Sequence, residues 1–517
     1  MTFAAVACRA QVGLQAPLVR VEVSLGSGLP TFNIVGLPAA AVRESKDRVR
    51  AALIHSDFEF PAGRITVNLS PADVPKRGGR FDLPIAIGVL LASAQLRLRS
   101  AALCAPAIEL YGELGLNGEL KPVCGLLLAA AHAAAAGHEV IIPQGNAGEL
   151  QVLLRAHGLT IFTADHLLGV CAHLAGRAPL VQLCAPCAPA FAVASGTPLD
   201  LQDVRGQLQA KRALTVAAAG AHSLIMIGPP GAGKSMLARR LAGLLPPLTE
   251  AEALEVAAIA SIGDGGFNCA SFGLRPVRTP HHTASAAALI GGGARARPGE
   301  ISLAHRGILF LDELLEYDRR ALEALREPLE SGTVCITRAA LQAQYPAEFQ
   351  LVAAMNPCPC GRFGDAAGGC RCTPGEISQY RARISAPLLE RLDIHVEVQR
   401  LRVSDFDEAN TAGESSVAVA ARVALARGAQ LARQGVCNAR LSDADTERIC
   451  ALDATGRALL AQAMQRFGFS ARARQKILRL ARTIADLGAQ LSISARDVNE
   501  AVTYRALDRR VAGPSDR

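Results

Sequence analysis

The octapeptide Gly228-Pro229-Pro230-Gly231-Ala232-Gly233-Lys234-Ser235 constrains this chain more than any other stretch. It matches the phosphate-binding pattern G-x-x-x-x-G-K-[ST] in full. The apolar run Leu224-Ile225-Met226-Ile227 precedes it as a strand would, and Met236-Leu237-Ala238-Arg239-Arg240-Leu241 follows with helix formers. Strand, glycine loop, helix is the context in which the pattern binds phosphate. Glycines let backbone NH groups close around a polyphosphate with no Cβ in the way, and the helix N-terminus adds partial positive charge. Lys234 is then placed to reach the β- and γ-phosphates, and Ser235 to ligate Mg²⁺. The alternative is a glycine turn that binds nothing.

Two further strands end in side chains that suit such a loop. Ile308-Leu309-Phe310-Leu311 runs into Asp312-Glu313 about 80 residues after the loop. In phosphate-loop NTPases the first carboxylate holds Mg²⁺ and the second polarises the attacking water. Phe349 to Met355 is a near-continuous apolar run, as a buried parallel strand would be, and it ends at Asn356-Pro357. Asn356 is the candidate γ-phosphate sensor, with a simple Asn-Pro turn as the alternative.

At 517 residues the chain is long enough for about three domains. Lysine and arginine number 54 against 46 aspartates and glutamates, a net +8 that permits a nucleic-acid partner without requiring one. No uncharged apolar run approaches the roughly 18 residues of a membrane span, and Met1 to Arg9 lacks the pattern of a signal peptide. A cytoplasmic protein without membrane segments is expected. Residues 1–175 alternate strand-like and helical runs, as an α+β or α/β domain would; 176–198 are rich in proline and read as a linker; 199–402 hold the nucleotide-binding core; and 403–517 carry helical periodicity. In the last segment Ser470 is a candidate helix N-cap, and Arg474, Lys476, Arg479 and Arg482 read as a solvated face.

Four of the fourteen cysteines form two C-x-C pairs, Cys358-Pro359-Cys360 and Cys370-Arg371-Cys372, with Gly361, Gly364, Gly368 and Gly369 between them. Four thiolates so placed can surround one Zn²⁺ while the glycines let the loop fold back. Reduced thiols and a redox pair are the alternatives. Filled by four cysteines, such a zinc would be structural. The other ten cysteines read as small buried hydrophobes, and the spacing of Cys184 and Cys187 as chance.

Phosphate loop, Asp-Glu strand and Asn-tipped strand together resemble the AAA+ ATPases. More narrowly, Arg275-Pro276-Val277-Arg278-Thr279-Pro280-His281-His282-Thr283, Pro298-Gly299-Glu300-Ile301-Ser302-Leu303-Ala304-His305 and Leu325-Arg326-Glu327-Pro328-Leu329-Glu330 resemble the magnesium-chelatase-like ATPases of the ComM/YifB family. The N-terminal segments Pro75 to Pro84 and Gly112 to Val123 resemble the proteolytic domain of Lon proteases. There Arg80 stands where that family has its nucleophilic serine, and about Leu127 where it has its lysine base, so no acyl-enzyme route is expected. A displaced dyad of Ser70 and Lys76 has no motif behind it. The implied fold is α/β: an AAA+ core with a helical C-terminal lid and a degenerate Lon-protease-like α+β domain at the N-terminus.

The resemblance implies ATP and Mg²⁺ as ligands, Arg391 as an arginine finger reaching a neighbouring subunit's nucleotide, with a helix-surface arginine paired to a nearby carboxylate as the alternative, and Arg472 as a second sensor arginine. It therefore implies a ring, expected as a hexamer. ComM-like proteins are DNA motors that drive branch migration as single strands are integrated in natural transformation. The runner-up is the ATPase subunit of a magnesium chelatase remodelling a partner protein, and a protease-partner unfoldase is a weaker third. Arg338, in an expected hairpin from Val334 to Leu341, is the first candidate for a DNA contact, followed by Arg295 and Arg297; a surface hairpin with an ordinary solvated arginine is the alternative.

Overall fold

Valines on alternate positions turn Leu18–Gly26 into a strand with one buried face: Val19, Val21 and Val23 are inaccessible while Arg20 and Ser24 are exposed. The computed structural model describes residues 3–98, 108–154, 159–184, 199–263, 266–293, 296–338, 341–364, 368–400 and 413–508. Two compact units divide the chain. The first holds an eight-stranded sheet in the order Val181–Gln182, Ile161–Ala164, Glu139–Pro143, Ile108–Leu110, Phe3–Arg9, Leu18–Gly26, Arg64–Ser70, Thr31–Val35. It mixes parallel and antiparallel pairs. Asp82–Ala92, buried on nearly every residue, packs on its centre.

Two segments that lie within 199–402 group with this first unit, Thr249–Leu274 and Thr337–Tyr345. The helix Glu250–Ile262 is opened by a Thr249/Glu252 capping box and packs on Leu126–Ala135, where Gly125 N donates to Ser261 O at 3.2 Å. The expected hairpin is present as the strands Thr333–Arg338 and Leu341–Pro346 of a two-stranded sheet.

The second unit is built on a five-stranded parallel sheet ordered Val277–Arg278, Ile308–Leu311, Gln350–Met355, Leu224–Ile227, Ile394–Glu397. Its three central strands are buried at every residue, which is why, Gln350 apart, they read as apolar runs. The register pairs Ile227 with Met355 and Leu311 with Ala353. Parallel strands so aligned deliver Gly228, Asp312 and Asn356 to one edge of the sheet, where ligands bind in open α/β folds.

The C-terminal region is helical: Ser416–Gln434, Asp443–Ile449, Ala454–Phe467, Ala471–Leu487 and Ala495–Thr503. Ser470 caps the fourth of these, accepting from Ala473 N at 3.2 Å. The solvated face expected on that helix is a correction. Arg482 is buried and paired with Asp486 at 2.9 Å, and Lys476 is packed against the core with its ammonium on Asp393. Asp393, which arrives from another segment of the fold, and Asp486, one turn further along the same helix, let these cations go inside. The cysteines need a second correction, because Cys124, Cys184 and Cys335 are exposed while Cys8, Cys171 and Cys450 are buried. Cys187 and most of the expected linker lie outside the described residues. Among the described residues no helix is long and apolar enough to cross a membrane.

Candidate functional site

Gly228 to Gly233 link the strand Leu224–Ile227 to the helix Lys234–Leu241. Gly228 is required by close approach, since a Cβ there would lie 2.1 Å from the Val398 carbonyl oxygen. The loop, Lys234, Ser235, Asp312, Glu313 and Asn356 line one cavity of about 380 Å³. Lys234 Nζ donates to the Gly228 and Pro229 carbonyls at 2.7 and 3.0 Å and to Asn356 Oδ1 at 3.2 Å. Burial pushes this ammonium below its ordinary pKa, against the opposing pull of Asp312 and Glu313. A cation held on neutral oxygens in a partly desolvated loop is ready for an anion that brings more charge. Ser235 Oγ donates to Asp312 Oδ2 at 2.5 Å, which places two hard oxygen ligands side by side as Mg²⁺ requires.

Glu313 has φ +50, in the left-handed region that costs a non-glycine residue on the order of 1 kcal/mol. Its carboxylate faces His282, whose Nδ1 lies 3.4 Å from Oε2. His282 follows the edge strand Val277–Arg278, and Tyr317 Oη fixes the same loop by donating to Pro280 O at 2.6 Å. The sequence reading gave His282 no role. Its signal was the string Thr279-Pro280-His281-His282-Thr283, which has no helical or strand periodicity to explain it.

Directly after Asn356 the four cysteines converge. All four sulfurs lie within 4.8 Å of one another, with Cys358 to Cys360 at 3.4 Å, Cys358 to Cys370 at 3.8 Å and Cys360 to Cys370 at 3.7 Å. A tetrahedron of Zn–S bonds about 2.3 Å long has edges of about 3.8 Å, so the donor set fits zinc. Phe363 N donates to Cys358 Sγ at 3.3 Å, and backbone NH groups of Arg371 and Arg362 hold the Cys360 thiol down to about 6, while desolvation and the Cys360 and Cys358 sulfurs push the thiols of Cys370 and Cys372 up. A Cβ on Gly361 would lie 2.6 Å from Pro230 Cδ, so this knuckle rests on the phosphate loop itself.

Arg391 and Arg472 are brought together, but away from the residues that line the phosphate-loop cavity. They share a second cavity of about 620 Å³ with Glu330, Asp393, Arg474 and Lys476. Arg391 Nη2 lies 2.7 Å from Glu330 Oε2, and Arg472 Nη2 pairs with Glu330 Oε1. Beneath them Asp393 accepts from Lys476, from Ser223 N at 3.2 Å and from His222 at 3.3 Å. Burial alone would raise this carboxyl, but Lys476 and His222 outweigh it and hold Asp393 well below the usual carboxylate range. In the sequence Glu330 carries no signal beyond its place at the end of Leu325-Arg326-Glu327-Pro328-Leu329-Glu330.

In the first unit Arg80 is buried and donates to Gln11 Oε1 at 3.1 Å and to Cys124 O at 2.5 Å, while Leu127 is buried among apolar residues. Lys76 is fully buried and its ammonium donates to the Pro71 carbonyl. Of the DNA-contact candidates, Arg338 ends the strand Thr333–Arg338, Arg297 begins the short strand Arg297–Pro298, and Arg295 lies outside the described residues.

Comparison with known families matches "Magnesium chelatase, subunit ChlI" to residues 200–406, "Subunit ChlI of Mg-chelatase" to 21–146 and "Magnesium chelatase, subunit ChlI C-terminal" to 413–505. The chain is 46% identical to YifB of Salmonella typhimurium over 509 residues, covering 98% of both proteins. It is 45% identical to competence protein ComM of Haemophilus influenzae over 510 residues, again 98% of both. Similarity to the magnesium-chelatase 67 kDa subunit of Heliobacterium mobile is 26% over 240 residues, 41% of this chain and 34% of that protein.

Proposed function

We propose, from the premise that the chain belongs to the ComM/YifB family of magnesium-chelatase-like AAA+ ATPases, that it is a cytoplasmic ATP-driven ring motor acting on branched DNA during natural transformation. The hydrolytic half of this reading is carried by one observation, the convergence of Lys234, Ser235, Asp312, Glu313 and Asn356 on a single cavity. In it Lys234 and the loop NH groups bind the phosphates of ATP, and Ser235 and Asp312 hold Mg²⁺. Glu313 orients the attacking water, and Asn356 senses the γ-phosphate. Arg391 and Arg472, which line a different cavity, serve the nucleotide of a neighbouring subunit in a hexameric ring. The cysteine knuckle holds a structural zinc.

The DNA half is carried by the full-length similarity to a protein named for competence. A motor that must pass over any sequence grips phosphates rather than base edges, and Arg338 on the hairpin is the proposed contact, with Arg297 second. The family models carry chelatase names, but the pairwise comparisons disfavour the chelatase alternative: 26% identity over 34% of the chelatase 67 kDa subunit, against 45% over 98% of competence protein ComM. ATP hydrolysis measured with single-stranded, forked and four-way-junction DNA tests the reading. Stimulation that fades steeply with salt is expected, with Arg338→Ala losing stimulation and keeping basal hydrolysis. Hydrolysis indifferent to every DNA would overturn the motor.

A further inference from the structure

Two guanidinium groups do not converge on one point without a counter-ion. Arg391 and Arg472 come from distant parts of the chain, one just after the helix Ala386–Leu389 and the other from the first turn of Ala471–Leu487, and a single carboxylate lies between them. Glu330 gives one oxygen to each arginine.

The two arginines differ in what else holds them. Arg391 donates through Nε to the Arg326 carbonyl at 3.1 Å and through Nη1 to the Pro387 carbonyl at 2.6 Å, and its side chain is 10% exposed. Backbone oxygens would keep it in place without Glu330. Arg472 is 43% exposed, and beyond Glu330 its carboxylate partner is Glu390 at 4.0 Å. The short helix Arg326–Ser331 thus offers Arg391 its first carbonyl and Arg472 its last carboxylate. A carboxylate at a helix C-terminus is disfavoured by the local dipole, so Glu330 sits against the preference of its own element.

We propose that Glu330 is a positioning residue that docks Arg472 beside Arg391, so that the lid and the core present two guanidinia to one phosphate group of the adjoining subunit. This rests on the reading of both arginines as partners of a neighbour's nucleotide. Alignment in advance removes the entropy of bringing a half-exposed side chain to the transition state. Being nearly half exposed, Glu330 can yield Arg472 to a phosphate oxygen without being left buried and unpaired.

The test uses the full-length chain and compares Glu330→Ala with Arg391→Ala and Arg472→Ala, each alone, and Glu330→Ala combined with Arg472→Ala. Steady-state hydrolysis gives kcat, and a fluorescent non-hydrolysable ATP analogue gives affinity. Glu330→Ala should lower kcat about tenfold to a hundredfold, with affinity changed by less than about twofold. The double variant should be no slower than Arg472→Ala, because Glu330 acts through that arginine. Glu330→Gln keeps the shape and one acceptor, and should fall between wild type and Glu330→Ala, which guards against a folding defect in the alanine variant. A wild-type kcat in Glu330→Ala beside slow arginine variants overturns the proposal and leaves the arginine roles standing. Losses that multiply in the double variant also overturn it, and wild-type rates in both arginine variants overturn the reading beneath it.

Discussion

The two cavities of the ATPase unit are assembled in opposite ways. The smaller draws its side chains from the tips of adjacent parallel strands and the loop between one strand and its helix, so sheet register alone fixes their spacing. The larger gathers cations from a turn in the core and from the lid helix, and carboxylates tie them together. One is lined by the glycine loop, Lys234 and carboxylates; the other offers guanidinium groups and holds no phosphate loop. In the proposed ring the two would meet across a subunit boundary, which would make hydrolysis depend on assembly.

The sharpest break of this contrast lies in the smaller cavity. Lys234→Ala should abolish nucleotide binding, whereas Glu313→Gln should bind normally and lose about a hundredfold to ten-thousandfold in turnover, as isothermal titration and phosphate release would show. Normal turnover in the glutamine variant would remove Glu313 from the chemistry.

Under the larger cavity the effect should appear as stability. Asp393→Asn leaves Lys476 as an uncompensated charge and should cost about 3 to 5 kcal/mol in denaturant unfolding. The folded pKa of Asp393 is depressed, so its contribution is present above the ordinary aspartate value of about 3.9 and is lost as pH falls through the lowered one. The gap between wild type and variant should therefore be full at neutral pH and close only in strong acid. A variant as stable as wild type at pH 7 would deny the pair its role.

The smallest effect concerns what braces the phosphate loop. Purified under reducing, chelator-free conditions, the protein should carry about one zinc per chain, lost on Cys358→Ser or Cys372→Ser. Because Gly361 touches Pro230, the metal-free variants should also bind nucleotide slightly more weakly, by about 1 kcal/mol or less. Metal analysis finding none would return the cluster to plain thiols.

Legibility followed the same divide. The smaller cavity could be read because each of its parts is a short string with its own periodicity: an apolar strand, then Gly228 to Ser235, Asp312-Glu313 or Asn356. The C-x-C pairs were visible for the same reason. Local periodicity reads Lys476 and Arg482 as solvated: Asp393 reaches Lys476 only through packing, and the Arg482–Asp486 pair, although spaced i to i+4, does not announce that both its members are buried. Glu330 and His282 have no local signal of a role, since what they touch comes from other segments of the fold. The grouping of Thr249–Leu274 with the first unit likewise depends on a helix-to-helix contact that composition does not announce.

Mixing two inactive variants tests the divided site most directly. Lys234→Ala supplies an intact arginine cavity and a dead phosphate loop, and Arg391→Ala supplies the reverse. If the site is shared between subunits, titrating one into the other should restore part of the ATP hydrolysis that neither has alone, with a maximum at intermediate ratios. Hydrolysis that stays at the level of the separate variants at every ratio, in mixtures shown to co-assemble, would contradict a site completed by a neighbour.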